Sequence, residues 1–289
     1  MRRIGRTSDL ELEALDRLEL PLAPSRSWLR RGWSSLWPPV VAIALALVAW
    51  QLVVLSGWRE PWVLPGPATV LPRLVDDLLR DDLLLAVGIT LRRAAVGFAL
   101  ALVVGTLLGL AIVRSRILRA AIASLITGLQ TMPSIAWFPL AILLFGLNES
   151  AIIFVVVLGA APSVANGLIH GIDNVPRLLR RAGYVLGARG IAAYRFVILP
   201  AALPSFVGGM KHAWAFAWRS LMAGELLVII AQRPSLGVRL QFARELSDAE
   251  GLLATMIVVL VIGIAVDLLF FGLLERTIRR RWGLVEDAG

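Results

Sequence analysis

Arg180-Arg181-Ala182-Gly183-Tyr184-Val185-Leu186-Gly187-Ala188-Arg189, followed by Phe196-Val197-Ile198-Leu199-Pro200 and then Pro204, separates two long apolar runs, and its reading decides the fold. Between residues 171 and 199 the chain leaves an apolar environment and forms a short helix that Gly187 ends. It returns at Pro200, a residue suited to the first turn of the next apolar helix. Helix-to-helix connections usually run to about 2–8 residues. A connection this long, with its own capped helix, is a structured element between aqueous and apolar parts.

Composition agrees with that reading. Of 289 residues, 58% are apolar and 17% charged, and the mean hydropathy is +0.79. Soluble domains carry about 25% charged residues, so the chain belongs to the membrane class. Runs at 38–56, 84–113, 117–147, 151–169, 200–230 and 251–274 are each long enough to cross a hydrocarbon core of roughly 30 Å at about 1.5 Å per residue. The expected fold is all-α, a polytopic membrane protein of about six spans, the third broken near Pro133. The chain divides into a tail at 1–37, a first span with an outer amphipathic segment at 38–83, a core at 84–275 containing the loop 171–199, and a tail at 276–289.

The net charge of +9 is an orientation signal rather than a nucleic-acid one. With the N-terminus inside, most of the 29 basic residues fall in the two tails and in the loops 114–119 and 171–199, as the positive-inside rule requires. Both termini are therefore expected in the cytoplasm. Trp28, Trp33 and Trp37 before the first span, and Trp58 and Trp62 after it, suit the two interfaces of an aromatic belt. Asp9, Glu11, Glu13, Asp16 and Glu19 delay the first apolar run beyond the position of a secretory signal, so that span is read as retained. Outside, Leu64-Pro65-Gly66-Pro67 precedes Val70, Leu71, Leu74, Leu78 and Leu79 at helical spacing. This predicts a turn and then an amphipathic helix lying on the membrane surface. The second outer loop, 231–250, reads as polar.

Three stretches together resemble one family. Met132-Pro133-Ser134-Ile135-Ala136-Trp137-Phe138-Pro139-Leu140 leads into Phe145-Gly146-Leu147-Asn148-Glu149-Ser150; the loop runs from Ala182 to Pro204; and 218–226 contains Ala223-Gly224-Glu225. The chain is similar, over roughly residues 85 to 282, to the transmembrane permease subunit of bacterial ATP-binding-cassette importers of the nitrate, sulfonate and taurine class, with a type I importer fold. The loop is similar to that family's "EAA" segment, although Arg181-Ala182-Gly183 stands where Glu-Ala-Ala is expected. The resemblance implies that Arg181, Ala182, Gly183, Leu186, Gly187, Ala188, Arg189, Phe196, Leu199 and Pro200 couple the chain to a cytoplasmic ATPase. It also implies two ATPase copies holding ATP and Mg, a second permease copy, an extracytoplasmic solute-binding protein, and the bacterial inner membrane with its lipid as the setting.

Ionisable groups inside a span cost at least about 2.5–3.5 kcal/mol unless they face a pathway or a partner. Here they are Arg92, Arg93, Lys211, His212, Arg219, Glu225 and Asp267. Lys211 and Arg219 lie near one helical face, with Trp214 and Trp218 close by. A cationic, aromatic-lined passage suits a small oxyanion, for which arginine offers forked donors. Pro133, Trp137, Trp214, Trp218, Arg219 and Glu225 are the path candidates. In the competing arrangement Arg92, Arg93 and Lys211 snorkel to an interface while Arg219 pairs with Glu225 or Asp267.

With no cysteine, disulfides and thiolate sites are excluded, and His170 and His212 do not make a histidine-rich metal site. The chain has no Gly-x-x-x-x-Gly-Lys-Ser/Thr phosphate loop, so ATP hydrolysis is expected on another subunit, and no His-Glu-x-x-His or Gly-x-Ser-x-Gly. Two other classes stay open: a stand-alone secondary carrier using Asp267 as its coupling acid, and a non-transporting membrane scaffold.

Overall fold

In a bilayer a long apolar run satisfies its own backbone only as a helix or a closed barrel, and every element described here is helical. The computed structural model describes residues 28–230 and 233–281. The tail before residue 28, the C-terminal residues after 281 and the side chains of Trp28 and Trp33 lie outside the described residues. In chain order the elements are α1 (Trp28–Leu55), α2 (Pro67–Leu78), α3 (Asp81–Arg114), α4 (Arg116–Thr131), a 3-10 turn (Ser134–Trp137), α5 (Phe138–Phe145), α6 (Glu149–Asp173), α7 (Arg177–Val185), α8 (Ile191–Leu227), α9 (Leu236–Glu245) and α10 (Ala249–Ile278). Five of these, α1, α3, α6, α8 and α10, are long and apolar enough to cross a membrane, and the end of α4 passes the same test only together with the turn and α5, as a pair bent by 104°, which brings the candidate spans to between five and six. Pro133 causes the bend: it forces Met132 into an extended conformation, φ −75° and ψ 128°, and supplies no N–H to continue the helix.

α6 is the middle of a three-helix layer, flanked by α3 and α8. Its start is fixed by Asn148, whose Oδ1 accepts from the Ser150 and Ala151 N–H groups at 2.9 and 3.3 Å. Lipid gives helices no hydrophobic reason to associate, so small residues that admit close packing decide who meets whom. Gly97, Gly105 and Gly109 of α3 all pack inside the chain against α6. A Cβ on Gly105 would lie 2.5 Å from the Ala161 carbonyl oxygen. On the other side Gly167 of α6 crosses Gly209 of α8 backbone to backbone. Val155, Val156, Ala160 and Val164 are wholly buried between them.

Three local expectations change. The outer amphipathic helix α2 does not merely lie on a membrane: Val70 is fully buried, and Leu74 packs on Leu83, Ala86, Leu236 and Val258. The polar-looking outer loop contains α9, capped by Ser235 and with Leu236, Gly237 and Val238 buried. Pro200 does not open the fifth span, which begins at Ile191 after Gly190. A proline inside a helix lacks its N–H and crowds the carbonyl four residues back; the widened π turn Tyr194–Ile198 immediately before it makes room. A second π turn, Val266–Phe271, interrupts α10.

Candidate functional site

The break between α4 and α5 opens a cavity of about 280 Å³ lined by Gln130, Pro133, Ser134, Trp137, Phe216 and Arg219, among others. Pro133 and Trp137 come from the bent span and Arg219 from α8, so three of the sequence candidates meet here. The Arg219 Nε donates to the Ala215 carbonyl at 3.1 Å, and its guanidinium sits 4.7 Å from the Phe216 ring centroid. Behind the cavity a neutral relay crosses from the bent span to α6. Gln130 Nε2 donates to Ser163 Oγ at 3.0 Å, and Asn166 Nδ2 donates to Gln130 Oε1 at 3.0 Å.

The other path candidates fall elsewhere. Trp214 and Trp218 stack with centroids 5.9 Å apart, but Trp214 faces Phe98 and Phe271 in an apolar cavity of about 310 Å³. Trp218 lines a separate one of about 610 Å³ beside α10. Glu225 lines none of these three cavities. It is fully buried, where it accepts from Arg93 Nη1 at 3.0 Å, Thr90 Oγ1 at 2.9 Å and the Gly237 N–H at 3.1 Å.

Neither arrangement foreseen for the intramembrane charges is complete. Lys211 pairs with Asp267 at 3.1 Å instead of snorkelling. Arg92 pairs with Glu149 at 2.8 Å, and Arg93 bridges Glu149 and Glu225. Arg219 pairs with neither Glu225 nor Asp267.

The loop 171–199 is built as a stiff projection. α7 ends in a Schellman turn: Gly187, at φ +85°, donates to the Tyr184 carbonyl at 3.1 Å and Ala188 donates to the Gly183 carbonyl at 2.9 Å. Gly183 is the only buried residue of α7, and a Cβ there would come within 2.7 Å of Val197 Cγ2, so the helix is seated directly on the start of α8. Arg180 donates to the Ile172 carbonyl at the end of α6. Arg189 covers the Tyr184 ring at 4.8 Å and Arg195 the Phe196 ring at 5.6 Å. Arg181, Ala182, Leu186, Gly187, Arg189, Phe196 and Leu199 are exposed, and Ala188 and Pro200 are half-buried.

Residues 101–280 match the family model described as the binding-protein-dependent transport system inner membrane component. The chain belongs to this family. The permease is 33% identical over 79% of its length to a probable ABC transporter permease protein of Brucella melitensis, covering 90% of that protein. It is 32% identical to the putative aliphatic sulfonates transport permease protein SsuC of Bacillus subtilis, over 86% of this chain and 87% of that one. It is 29% identical to the taurine transport system permease protein TauC of Escherichia coli, over 78% and 83% respectively. Its fold is shared with the MetNI methionine ABC transporter in inward-facing conformations, at a TM-score of 0.58 and 20% identity, covering 68% of this chain and 96% of that chain. The protein is thus a multi-pass ABC importer permease of the type I fold, a transport subunit, and the scaffold class is set aside.

Sequence reasoning missed Gln130, Ser163 and Asn166, and it missed Thr90 as the partner of Glu225. Gln130 and Asn166 did leave a signal: each is an amide inside an otherwise apolar run, where a polar side chain must find a partner or a cavity. Among the described residues no three His, Asp or Glu side chains converge in a way that would hold a metal ion.

Proposed function

We propose that this permease forms the membrane path of an ATP-driven importer for a small anionic solute of the sulfonate, taurine or nitrate kind, and that α7 with its glycine turn is where a cytoplasmic ATPase subunit docks. The observation that carries the docking is an apolar rim at the end of α7 and the first residue of α8, with Val185, Leu186 and Ile191 exposed by 83%, 86% and 87%. Apolar groups left this bare outside a membrane mark a protein contact, and here they sit on an element pinned by Gly183 and closed by Gly187. Arg181 and Arg189 rim the contact and favour an acidic groove. The excess of arginine in the loops 114–119 and 171–199 supports placing these and both termini in the cytoplasm.

The working assembly is two permease copies above two ATPase subunits holding ATP and Mg, with an extracytoplasmic solute-binding protein outside. ATP binding closes the ATPase pair, draws the two α7 projections together and favours an outward-open path, while hydrolysis returns it. This is a population shift through contacts that differ between the two states. The solute class is supported by the Arg219 cavity and by the sulfonate and taurine relatives.

Leu186→Glu combined with Ile191→Glu is expected to cut recovery of the ATPase subunit with the tagged permease by at least about tenfold, the equivalent of about 1.4 kcal/mol. ATP-dependent uptake should fall with it, while membrane insertion is unchanged. Undiminished co-purification would remove the docking assignment. Gly187→Asp, which loses the left-handed turn, should leave substrate binding intact and uncouple ATPase activity from uptake in reconstituted vesicles.

A further inference from the structure

We infer that the cavity at the α4–α5 break selects a singly charged, amphipathic anion, a short-chain sulfonate or an equivalent organic monoanion, and that Gln130 sets this selectivity together with Arg219. The inference rests on the path reading above and narrows it.

The argument is a balance of charge. Among the intramembrane cations, Arg92 and Arg93 hold Glu149 and Glu225, and Lys211 holds Asp267. Arg219 alone of this set has no carboxylate within ion-pair distance among the described residues. A cation left in an apolar layer without a counter-ion is costly unless something else supplies the negative charge. Its own helix supplies only a carbonyl to Nε and the face of Phe216, which orient the guanidinium without neutralising it. Neither terminal nitrogen has a partner among the described residues, so the fork that suits an oxyanion stays available.

Every other group lining the cavity is neutral. One positive charge in such a wall is balanced by one negative charge. A dianion would bring a second charge for which the lining offers no second cation. The lining also has an apolar side, Met132, Ile135, Trp137 and Phe216, against which a carbon substituent can pack. A volume of about 280 Å³ admits a small molecule only.

Gln130 keeps the neutrality in place. Its two amide ends are tied to Ser163 and Asn166, so its side chain is fixed at the cavity wall, and its second N–H has no partner among the described residues. Gln130→Glu is the same shape with a carboxylate, an internal counter-ion for Arg219 in place of the ligand. Ser163 and Asn166 act through Gln130 and are positioning residues.

The test is the thermal unfolding midpoint of the purified full-length permease in nanodiscs, titrated at constant ionic strength with ethanesulfonate, sulfate and the neutral diethyl sulfone. Ethanesulfonate is expected to raise the midpoint saturably, sulfate to require at least about tenfold more, about 1.4 kcal/mol weaker, and the sulfone to do nothing. Arg219→Gln and Gln130→Glu should each abolish the ethanesulfonate shift, and Arg219→Lys should keep part of it. Three results overturn the inference: sulfate acting as well as ethanesulfonate, no saturable shift with ethanesulfonate, or an undiminished shift in whichever of the Arg219→Gln and Gln130→Glu variants folds. ATPase co-purification and ATP-dependent uptake in the same preparation report separately on the importer reading. Their failure leaves the binding result standing, and intact uptake without charge selectivity sinks this inference alone.

Discussion

Arg93→Met is expected to destabilise the folded permease by about 3–5 kcal/mol, the cost of removing one partner from a buried ion pair. The side chains of Arg93 and Glu225 are 2% and 0% exposed, with 3.0 Å between them. Without the guanidinium, Glu225 is a carboxylate sealed in the protein with only the Thr90 hydroxyl and the Gly237 N–H as donors. Glu149 suffers far less, because Arg92 at 2.8 Å and Arg233 at 2.6 Å remain on it. The loss therefore falls on the knot joining α3, α8 and the start of α9, where Thr90 Oγ1 also accepts the Leu236 N–H at 3.0 Å. Adding Glu225→Met removes the orphaned charge and should recover more than half the loss, a coupling that a double-mutant cycle reads directly. Arg119→Met is the contrast. Its partner Asp173 is also 41% exposed, and such a pair is worth about 0–1 kcal/mol. Equal unfolding midpoints for Arg93→Met and Arg119→Met in the same detergent would discard this account.

The spans were legible in the sequence because the bilayer leaves an apolar run few alternatives. The runs at 84–113, 151–169 and 251–274 sit inside α3, α6 and α10, and the bend announced itself through Pro133. What hydropathy does not carry is the identity of a neighbour. Val70 on α2 and Leu236 on α9 look like residues of surface segments until the two helices are placed against α3 and α10. The start of α8 was misplaced for a related reason. Residues 191–198 are mixed in character, and Pro200, read locally, is a good first-turn residue. The π turn that lets a helix run on into a proline leaves no mark in composition.

The charged residues show the same division. The sequence names Arg92, Arg93, Lys211, Arg219, Glu225 and Asp267, since each is rare in its setting, but not Glu149, which sits at the start of α6 and holds both Arg92 and Arg93, and the pairing joins residues 132 apart in the chain for Arg93 and Glu225. Adjacency also misled. Trp218 and Arg219 are neighbours in sequence, yet successive residues of an α-helix diverge by about 100°, a consequence of 3.6 residues per turn. They consequently open onto different cavities. Pro133 and Trp137, remote in sequence from Arg219, are the residues that share its cavity, because the broken span folds back toward α8.

Gly167→Leu is expected to prevent α6 and α8 from closing on each other. A Cβ at Gly167 would stand 2.6 Å from the Cα of Gly209, and backbone cannot swing aside as a side chain does. The helices must part, and the buried contacts of Leu168 and Ile172 with Ala202 open with them. Overpacking a core typically costs about 1–3 kcal/mol and occasionally more. This substitution belongs at or above the top of that range, because lipid supplies no hydrophobic force to press the pair together again. Gly208 is the internal control: a Cβ there meets nothing within 4 Å, so Gly208→Ala should leave stability unchanged or raised by up to about 1 kcal/mol through helix propensity. Asn166 and Ser163 precede Gly167 on α6, and Arg219 follows Gly209 on α8, so the same separation pulls the Gln130 relay away from the guanidinium. Reduced purification yield, a lowered unfolding midpoint and loss of the ethanesulfonate shift should therefore appear together in Gly167→Leu and be absent from Gly208→Ala. A Gly167→Leu permease that matches the parent in all three would mean that these helices do not cross at Gly167 and Gly209.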